Sequence, residues 1–355
     1  MQWKLSDEHE AYQEALRGWV SGVAPSDTVR RWLDADDSST FVARFVADGW
    51  AGVGLSEDLG GQGGGLLELA LTAEELARAA APSAAWMATV LAVPALRGRD
   101  DLIAASLGGE PVSLVVPADH VPDAAPSLHV GADGAVSGEV PRVLAAAEAA
   151  RLVVVTDGGD GRRLRLVEAG DQGVEVTSRR LLDRSRTVAD VRLTGSASEV
   201  LDIDVDNYLR DVSSRAAVLV AADSLGATER MLDLAVEYSK QRKQFGVPIG
   251  SFQAVKHAAA SILVGVEAAR SVVYFAAASV ETEQPQSPMH AAAAKAQVTA
   301  EGSRAADTAL TMHGAIGYTW EHDLQLFYKR ARLDESLFGT PTTWNERLAD
   351  ALDLA

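Results

Sequence analysis

The strongest constraint on the fold is a stripe of apolar residues in the last third of the chain. Its members recur at alternating steps of three and four, which places them on one face of a long helix. They are Phe252, Val255, Ala259, Ile262, Val266, Ala269 and Val273. A helix with such a seam packs lengthwise against other helices. Pro285 and Pro288 separate it from a further helix predicted over about 289–312. The last part of the chain therefore predicts a helical bundle.

The first part of the chain also carries helical patterns. Ser6 is predicted to cap the first helix, because Asp7 and Glu8 follow it and favour the positive end of the helix dipole. Residues 66–81 form a segment rich in Ala, Leu and Glu that is typical of a helix. The glycine run 60–65 before it predicts a loop, since no helix tolerates such a run.

The middle part has a different character. Short runs of β-branched residues alternate with turn residues such as Asp133-Gly134, and no regular helical pattern separates them. This predicts a small antiparallel sheet. The predicted strands are 112–116, 152–156, 164–167, 174–177 and 188–193. We therefore expect a mainly α protein with a central β domain, divided into domains at 1–110, 111–205 and 206–355.

Charge and composition exclude several classes of function. With 50 acidic and 32 basic residues, a net charge of −18, the chain should repel nucleic acids and anionic membrane surfaces. It has no cysteine, which excludes disulfides and thiolate metal sites. His313 and His322 have no third ligand at a metal spacing, so no metal is expected. The chain begins without a signal-like segment, and no uncharged apolar run reaches the roughly 18 residues of a membrane span. We expect a cytoplasmic location.

Two connecting segments of the bundle carry the strongest functional signals. Residues 242–257 place Arg242 at the end of one helix, followed by polar amides, glycines and the start of a new helix. This arrangement favours an anion site, because a guanidinium and free backbone N–H groups bind oxyanions. Residues 313–323 form a second glycine-containing turn between helices.

Both segments resemble the C-terminal signatures of the FAD-dependent acyl-CoA dehydrogenases. Residues 49–63 and Glu74-Glu75-Leu76 are similar to the first domain of that family, and the resemblance covers essentially the whole chain. It implies an N-terminal helical domain, a β-barrel-like middle domain and a C-terminal four-helix bundle. It also implies FAD as the cofactor, shared across a subunit interface. The residues that it assigns to FAD are Arg242, Gln244, Phe245, Gln253, His313, Gly314 and Gly317.

The chemistry of the family requires a carboxylate at a defined place. A glutamate removes the α-proton of an acyl-CoA thioester, the β-hydride passes to the flavin, and an electron-transferring flavoprotein reoxidises the flavin. The base commonly sits in a Tyr-Glu-Gly-Thr turn, where this chain has Leu337-Phe338-Gly339-Thr340. The alternative position, on the first bundle helix, falls on Ala216. Neither Phe338 nor Ala216 can accept a proton.

Other departures from the family pattern lie in the β domain and the first bundle helix. The segments around 115–122 and 142–148 lack the family's flavin-lining loop and its hydroxyl-bearing strand. Ser214 and Ala217 stand where an Asp and an Arg guide the substrate. In the later glycine turn, Thr311 and Ala315 replace a Gln and a Gly.

These losses are one-sided. In the family, one subunit supplies the β domain and the catalytic turn to a shared flavin site, and the other supplies the Arg-x-x-Phe-Gly loop and the later glycine turn. This chain keeps most of the second set and loses most of the first. The resemblance therefore implies the degenerate subunit of a heteromeric acyl-CoA dehydrogenase, as in actinobacterial enzymes of steroid side-chain β-oxidation. Its partners would be a homologous subunit with the catalytic glutamate, an acyl-CoA and an electron-transferring flavoprotein. Two alternatives stay open: a self-sufficient dehydrogenase with Glu335 or Glu321 as a displaced base, and a flavin-free CoA-binding or scaffold protein.

Overall fold

The computed structural model describes residues 5–159 and 161–352. Eleven α-helices lie in this part of the chain: α1 (Asp7–Val23), α2 (Ser26–Ala35), α3 (Ser39–Ala47), α4 (Leu66–Arg78), α5 (Ala84–Ala92), α6 (Asp100–Leu107), α7 (Val205–Gln241), α8 (Gln253–Glu281), α9 (Ser287–His313), α10 (Leu324–Ser336) and α11 (Pro341–Ala351). The strands described are β1 (Val112–Val115), β2 (Leu128–Val130), β3 (Val136–Leu144), β4 (Arg151–Gly158), β5 (Gly161–Glu168), β6 (Val174–Arg179), β7 (Val188–Ser196), β8 (Glu199–Leu201), β9 (Lys243–Gln244) and β10 (Val247–Pro248). Helices before and after a central sheet confirm the predicted fold class.

The chain folds into two compact units. The first unit comprises Met1–Ala35, Leu66–Ala81 and Ala217–Ala355. It contains α1, α2, α4 and the bundle helices α8 to α11. The second unit comprises Asp36–Gly65 and Pro82–Ala216, with α3, α5, α6 and strands β1 to β8. Helix α7 begins in the second unit and continues in the first.

The first helix begins as the sequence predicts. The hydroxyl of Ser6 accepts a hydrogen bond from the backbone N–H of His9 (3.3 Å), and the His9 ring accepts one from the backbone N–H of Ser6 (3.4 Å). This reciprocal pair satisfies two N–H groups that the first helical turn leaves free. Leu16 and Val20 then form the buried face of α1.

The apolar seam is buried over most of α8, as expected, but not at its start. Ile262, Val266 and Val273 are buried, whereas Phe252 is exposed and precedes the helix. Phe252 has an extended backbone, and its ring meets that of Phe245 edge-on at 6.0 Å. The predicted role of Phe252 in the bundle seam is therefore wrong, because the residue packs on a neighbouring connection instead.

Two large apolar side chains of α8 are exposed. They are Leu263 and Val264, and Val264 is 70% exposed. By length and composition α8 qualifies as a membrane span, with 17% of its most apolar stretch buried. A search for an uncharged apolar run does not find this helix, because α8 carries isolated charges such as Lys256 and Arg270.

A buried ion pair joins three segments of the first unit. Arg330 on α10 and Asp223 on α7 are both fully buried. The guanidinium donates from Nε to Oδ1 (2.6 Å) and from Nη2 to Oδ2 (2.7 Å) of Asp223. Its Nη1 donates to the backbone oxygen of Ala81, just after α4 (2.9 Å). The pair therefore fixes α10 against α7 and against the end of α4.

A buried lysine holds the turn between α10 and α11. The ammonium of Lys295 on α9 donates to the backbone oxygens of Asp334 (3.0 Å) and Gly339 (2.8 Å). Burial lowers the pKa of Lys295 to about 7, since the charged form loses its hydration, although Asp334 and Glu335 act in the opposite direction.

The sheet of the second unit is mixed rather than purely antiparallel. Its strand order is β6-β7-β3-β2-β4-β5-β8, with β1 also beside β4. Strand β4 runs parallel to both β1 and β2, and the remaining pairs are antiparallel. The sequence missed β2, β3 and β8. Strands β2 and β8 are only three residues long. Strand β3 contains Gly138 and Pro141, and its pairing with β7 shifts register twice.

The glycine run after α3 forms a hydrogen-bonded turn. Gly63 donates its N–H to the oxygen of Leu55 (2.8 Å), and Gly54 donates to the oxygen of Gly63 (2.8 Å). A Cβ on Gly61 would lie 2.1 Å from the oxygen of Leu55. The predicted loop is therefore present, and its close backbone approach requires glycine.

Helices α4 and α7 cross at a glycine. A Cβ on Gly226 would lie 2.0 Å from the backbone oxygen of Glu74. Because both atoms belong to helix backbones, neither can move away without shifting a helix.

We expect Gly226→Ala to destabilise the protein by about 1–3 kcal/mol or more, because the added methyl group forces the two helices apart. The matched control is Gly18→Ala on α1, where a Cβ would meet nothing within 4 Å. That change should stabilise the helix by about 0.5–1 kcal/mol. Urea denaturation followed by circular dichroism measures both. Equal effects of the two substitutions would contradict the close crossing.

A second prediction concerns the pH dependence of stability. The pKa of Lys295 is lower in the folded chain than its ordinary value of 10.5, so between about pH 7 and 10.5 the unfolded chain binds a proton that the folded chain releases. The free energy of unfolding should therefore rise with pH through this window because of Lys295. In Lys295→Met this contribution is lost, so the difference in unfolding free energy between wild type and variant should grow with pH.

The exposed lysine of α8 provides the control, since Lys256→Met should leave the slope of the wild type unchanged. Unfolding free energies from urea titrations across the window give the three slopes. Parallel curves for wild type and Lys295→Met would rule out a shifted pKa at Lys295.

Candidate functional site

The first candidate segment folds as a tight hairpin directly after α7. Strands β9 and β10 pair antiparallel, with Gln244 opposite Val247. The two residues between them, Phe245 (φ 51°) and Gly246 (φ 82°), both adopt left-handed backbone conformations, as a two-residue hairpin requires. The oxygen of Arg242 accepts from the N–H of Ile249 (2.8 Å) and closes the base of the hairpin.

The side chains of the hairpin face solvent. Arg242, Gln244 and Gln253 are exposed, and Phe245 at the tip is 92% exposed. Within the described residues Arg242 has no side-chain hydrogen bond or ion pair. An unpaired guanidinium beside primary amides can bind an oxyanion through charge-assisted hydrogen bonds. The Phe245 and Phe252 rings, which meet edge-on, add exposed apolar surface to the same connection.

The second candidate segment is anchored on a buried histidine. His313 ends α9, and its Nδ1 lies 2.7 Å from the oxygen of Ala309. Its ring stacks on Tyr238 of α7, with centroids 4.8 Å apart, and meets His322 at 4.6 Å. Burial lowers the pKa of both histidines, so their neutral forms are favoured. Tyr238 precedes Arg242 by one helical turn, which brings the two candidate segments to the same end of the bundle.

The glycines of this turn have different roles. Gly314 is exposed with φ 63° and caps the C-terminal end of α9. Gly317 is buried, and a Cβ there would lie 2.9 Å from the Leu310 side chain. Arg30 of α2 fixes the far end of the turn, since its Nε donates to Asp323 (2.9 Å). It also donates to the backbone oxygen of Glu321 (3.1 Å).

The turn that carries the base in the family holds a phenylalanine here. Phe338 is 3% exposed and has φ 55°. Its oxygen accepts from the Trp344 indole (3.0 Å), and Lys295 holds the next residue, Gly339. The turn is thus fixed in a left-handed conformation that is uncommon for a bulky side chain. Ala216, the other base position, is fully buried in α7.

The two alternative carboxylates are engaged elsewhere or exposed. Glu335 accepts a hydrogen bond from the hydroxyl of Ser303 (2.7 Å) and lies 3.7 Å from Arg332. Glu321 is exposed, and hydrogen bonds lower its pKa. A base for α-proton removal needs a dry setting, whereas Glu321 is exposed and Glu335 is partly exposed.

In the second unit, an ion pair joins the two segments that lack the family's flavin pattern. The guanidinium of Arg142 donates to Asp119 (2.6 Å), and the N–H of Ala118 donates to the oxygen of Arg142 (2.9 Å). Arg142 and Ala145 both have φ 53°. Sequence reasoning missed this pair, because the bridge between Pro117 and Val143 brings the two segments together. The sequence signal that could have revealed the pair is the opposite charge of Asp119 and Arg142.

No group of three His, Asp or Glu residues that could hold a metal occurs among residues 5–159 and 161–352.

Comparison with known proteins identifies the family. Residues 6–98 match the acyl-CoA dehydrogenase N-terminal domain, and residues 207–352 match the acyl-CoA dehydrogenase C-terminal domain. The chain is 32% identical over 345 residues to acyl-CoA dehydrogenase IpdE2 of Mycobacterium tuberculosis, covering 96% of each chain. It is 31% identical to acyl-CoA dehydrogenase IpdE2 of Mycolicibacterium smegmatis, covering 97% of this chain and 98% of that one.

Solved structures show the same fold. A variant of the Tcur3481-Tcur3483 steroid ACAD is 25% identical, with a TM-score of 0.88 and 98% of each chain covered. The ChsE4-ChsE5 complex from Mycobacterium tuberculosis is 24% identical, with a TM-score of 0.86 over the full length of both chains. Both the sequence matches and the fold confirm the resemblance drawn from the loop motifs: this chain is a member of the acyl-CoA dehydrogenase family, whose enzymes are oxidoreductases acting on CH–CH donors.

Proposed function

We propose that this chain is the non-catalytic subunit of a heteromeric acyl-CoA dehydrogenase and completes the flavin site of a catalytic partner. One contrast carries the proposal. The Arg242 hairpin is intact and its guanidinium is unpaired within the described residues, whereas the base turn holds Phe338 in place of a carboxylate. The chain thus keeps groups that bind an anion and lacks the group that removes a proton.

Neither residue at the two base positions of the family can accept the α-proton. Removal of the α-proton of an acyl thioester requires a group that accepts a proton beside the substrate. A benzyl side chain at Phe338 and a methyl group at Ala216 have no lone pair to offer. FAD, when bound, supplies the acceptor for the β-hydride. The partner must therefore supply the carboxylate.

The side chains of the Arg242 hairpin and the start of α8 are suited to the phosphate half of FAD. Arg242 offers two parallel N–H donors to a pyrophosphate oxygen, and the Gln244 and Gln253 amides add further donors. Phe245 presents an exposed ring beside them. We assign His313, Gly314 and Gly317 to the same site, where the buried imidazole keeps the glycine turn in place.

The second unit does not offer an equivalent flavin surface. Where the family has its flavin-lining loop and strand, this chain has the Arg142–Asp119 ion pair. Both partners of this pair would have to separate before a flavin could take their place. A second complete flavin site on this chain is therefore disfavoured, and we expect one FAD per heterodimer.

The exposed face of α8 supports a partner subunit. Leu263 and Val264 lie on a helix whose apolar surface needs cover, and burying such surface stabilises a complex by roughly 25 cal/mol per Å². The names of two similar structures, ChsE4-ChsE5 and Tcur3481-Tcur3483, each join two components.

The substrate class follows from the family. We propose an acyl-CoA of lipid or steroid side-chain β-oxidation, because one similar structure is described as a steroid ACAD. An electron-transferring flavoprotein would reoxidise the flavin, and the complex would work in the cytoplasm. The self-sufficient dehydrogenase is less favoured, since Glu335 and Glu321 lack the setting of a base.

The proposal predicts the effect of removing the Arg242 guanidinium. In a complex with the catalytic partner, Arg242→Ala removes a charge-assisted contact to pyrophosphate, worth roughly 1.5–3 kcal/mol. The affinity of the complex for FAD should fall about 10–100-fold. Fluorescence titration of the apo complex with FAD measures it, and native mass spectrometry reports whether both subunits remain.

Arg31→Ala on α2 is the matched control, because it removes an exposed guanidinium from the same unit. This variant should bind FAD like the wild type. An assembled Arg242→Ala complex that retains wild-type affinity would refute the role of the hairpin. A complex that binds no FAD even as wild type would favour the flavin-free scaffold.

A further inference from the structure

A second face of α8 is exposed although it has the spacing of a packed helix. It consists of Lys256, Ala260, Leu263 and Glu267, here termed the exposed seam, and all four residues are exposed. Each of them directly follows a residue of the apolar seam predicted for the bundle. Because successive residues of a helix are turned by about 100°, the exposed seam lies beside the buried seam on the helix surface. Its alternating steps of four and three are those of a helix paired with a second helix.

The middle of the exposed seam forms one side of a groove with α7. Ala260 and Leu263 line the groove together with Leu232 and Val236 of α7, and its volume is about 420 Å³. Its other lining residues are Asp233, Glu237, Lys240 and Ala259. All of these residues belong to the first unit. Apolar residues beside charged ones are typical of a protein–protein interface, where a polar rim surrounds an apolar core.

The two ends of the exposed seam carry opposite charges. Lys256 lies at the N-terminal end, and its side chain forms no hydrogen bond or ion pair with any other described residue. Glu267 lies at the C-terminal end, where it accepts a hydrogen bond from Arg270 (2.6 Å) and keeps 61% of its side chain exposed. A carboxylate can accept about four hydrogen bonds, so Glu267 can bind a second cation.

The order of these four residues is self-complementary. When two copies of α8 run antiparallel about the midpoint of the exposed seam, Lys256 faces Glu267 of the other copy and Ala260 faces Leu263 of the other copy. Each charge then meets its opposite, and each large side chain meets a small one. A contact about a two-fold axis requires such self-complementarity. A parallel pair would instead place like charges face to face.

We infer that the exposed seam binds a second copy of this chain, with the two α8 helices antiparallel and Leu263 of each copy in the groove of the other. The inference refines the proposed function, and it rests on that function for the catalytic subunit: two heterodimers join into a heterotetramer through their non-catalytic subunits. The contact itself uses only residues of this chain and none of those that we assign to FAD.

Chemical cross-linking tests the position of the contact, because the chain has no cysteine of its own. In the antiparallel pair the Cα atoms of residue 260 in the two copies are about 10 Å apart, which a short bismaleimide can bridge. Ala260→Cys should therefore give a product with twice the mass of this chain, both alone and in the complex with the catalytic subunit. Ala278→Cys is the control, because this exposed position of α8 lies far from its counterpart in the pair and should give no such product.

Sedimentation velocity over a range of protein concentrations tests the apolar part of the contact. Leu263→Asp places two carboxylates in the contact, so the dissociation constant of the pair should rise about 100-fold or more. The matched control is Leu182→Asp in the second unit, which changes a leucine that is 81% exposed and lies outside the groove. This control should associate like the wild type. Circular dichroism shows whether both variants are folded.

Charge reversal tests the register of the pair. Lys256→Glu and Glu267→Lys should each weaken the pairing about tenfold, because each creates two contacts between like charges. The double variant, with both substitutions, exchanges the two charges and should associate more tightly than either single variant.

The outcomes separate this inference from the proposed function. A wild-type complex without FAD would refute the proposed function and leave the cross-link at residue 260 unaffected. Four results would overturn the inference: no cross-link at residue 260, a cross-link to the catalytic subunit alone, equal effects of Leu263→Asp and Leu182→Asp, or a double charge variant that associates no more tightly than the single ones.

Discussion

The buried ion pair between Arg330 and Asp223 is the interaction on which the C-terminal half of the first unit depends. Two charges without solvent exposure are stable only when paired and fully hydrogen-bonded, and removal of one partner typically costs about 3–5 kcal/mol. Arg330 also holds the oxygen of Ala81, so one guanidinium fixes α10 against α7 and against the end of α4. Lys295 then holds the turn that follows α10. The position of Phe338 is a consequence of this chain of buried contacts.

This arrangement explains how the turn that holds Phe338 keeps its shape without a carboxylate at that position. The backbone oxygens that bind Lys295 belong to Asp334 and Gly339, and none of these contacts involves the side chain at position 338. The left-handed turn therefore persists with phenylalanine in it. The Arg242 hairpin is likewise held by backbone contacts, which leaves its side chains free for a ligand. At both places the backbone conformation therefore does not depend on the side chains that we assign to function.

Sequence patterns predicted the parts of the molecule that depend on local interactions. The cap at Ser6 and the helices of the bundle follow from interactions between residues that are close in sequence. The sheet was predicted less completely, because the pairing of β4 with β1 and β2 depends on long-range contacts. The Arg142–Asp119 pair escaped prediction for the same reason. The assignment of individual residues to FAD remains a prediction.

The central claim is that flavin binds only when this chain and a catalytic partner are together. The most direct measurement is the flavin absorbance per chain, together with acyl-CoA oxidation, for the chain purified alone and co-purified with a homologous subunit that carries the glutamate. The account predicts a colourless, inactive chain alone and one FAD per heterodimer in an active complex. A yellow homo-oligomer of this chain that oxidises an acyl-CoA would contradict it.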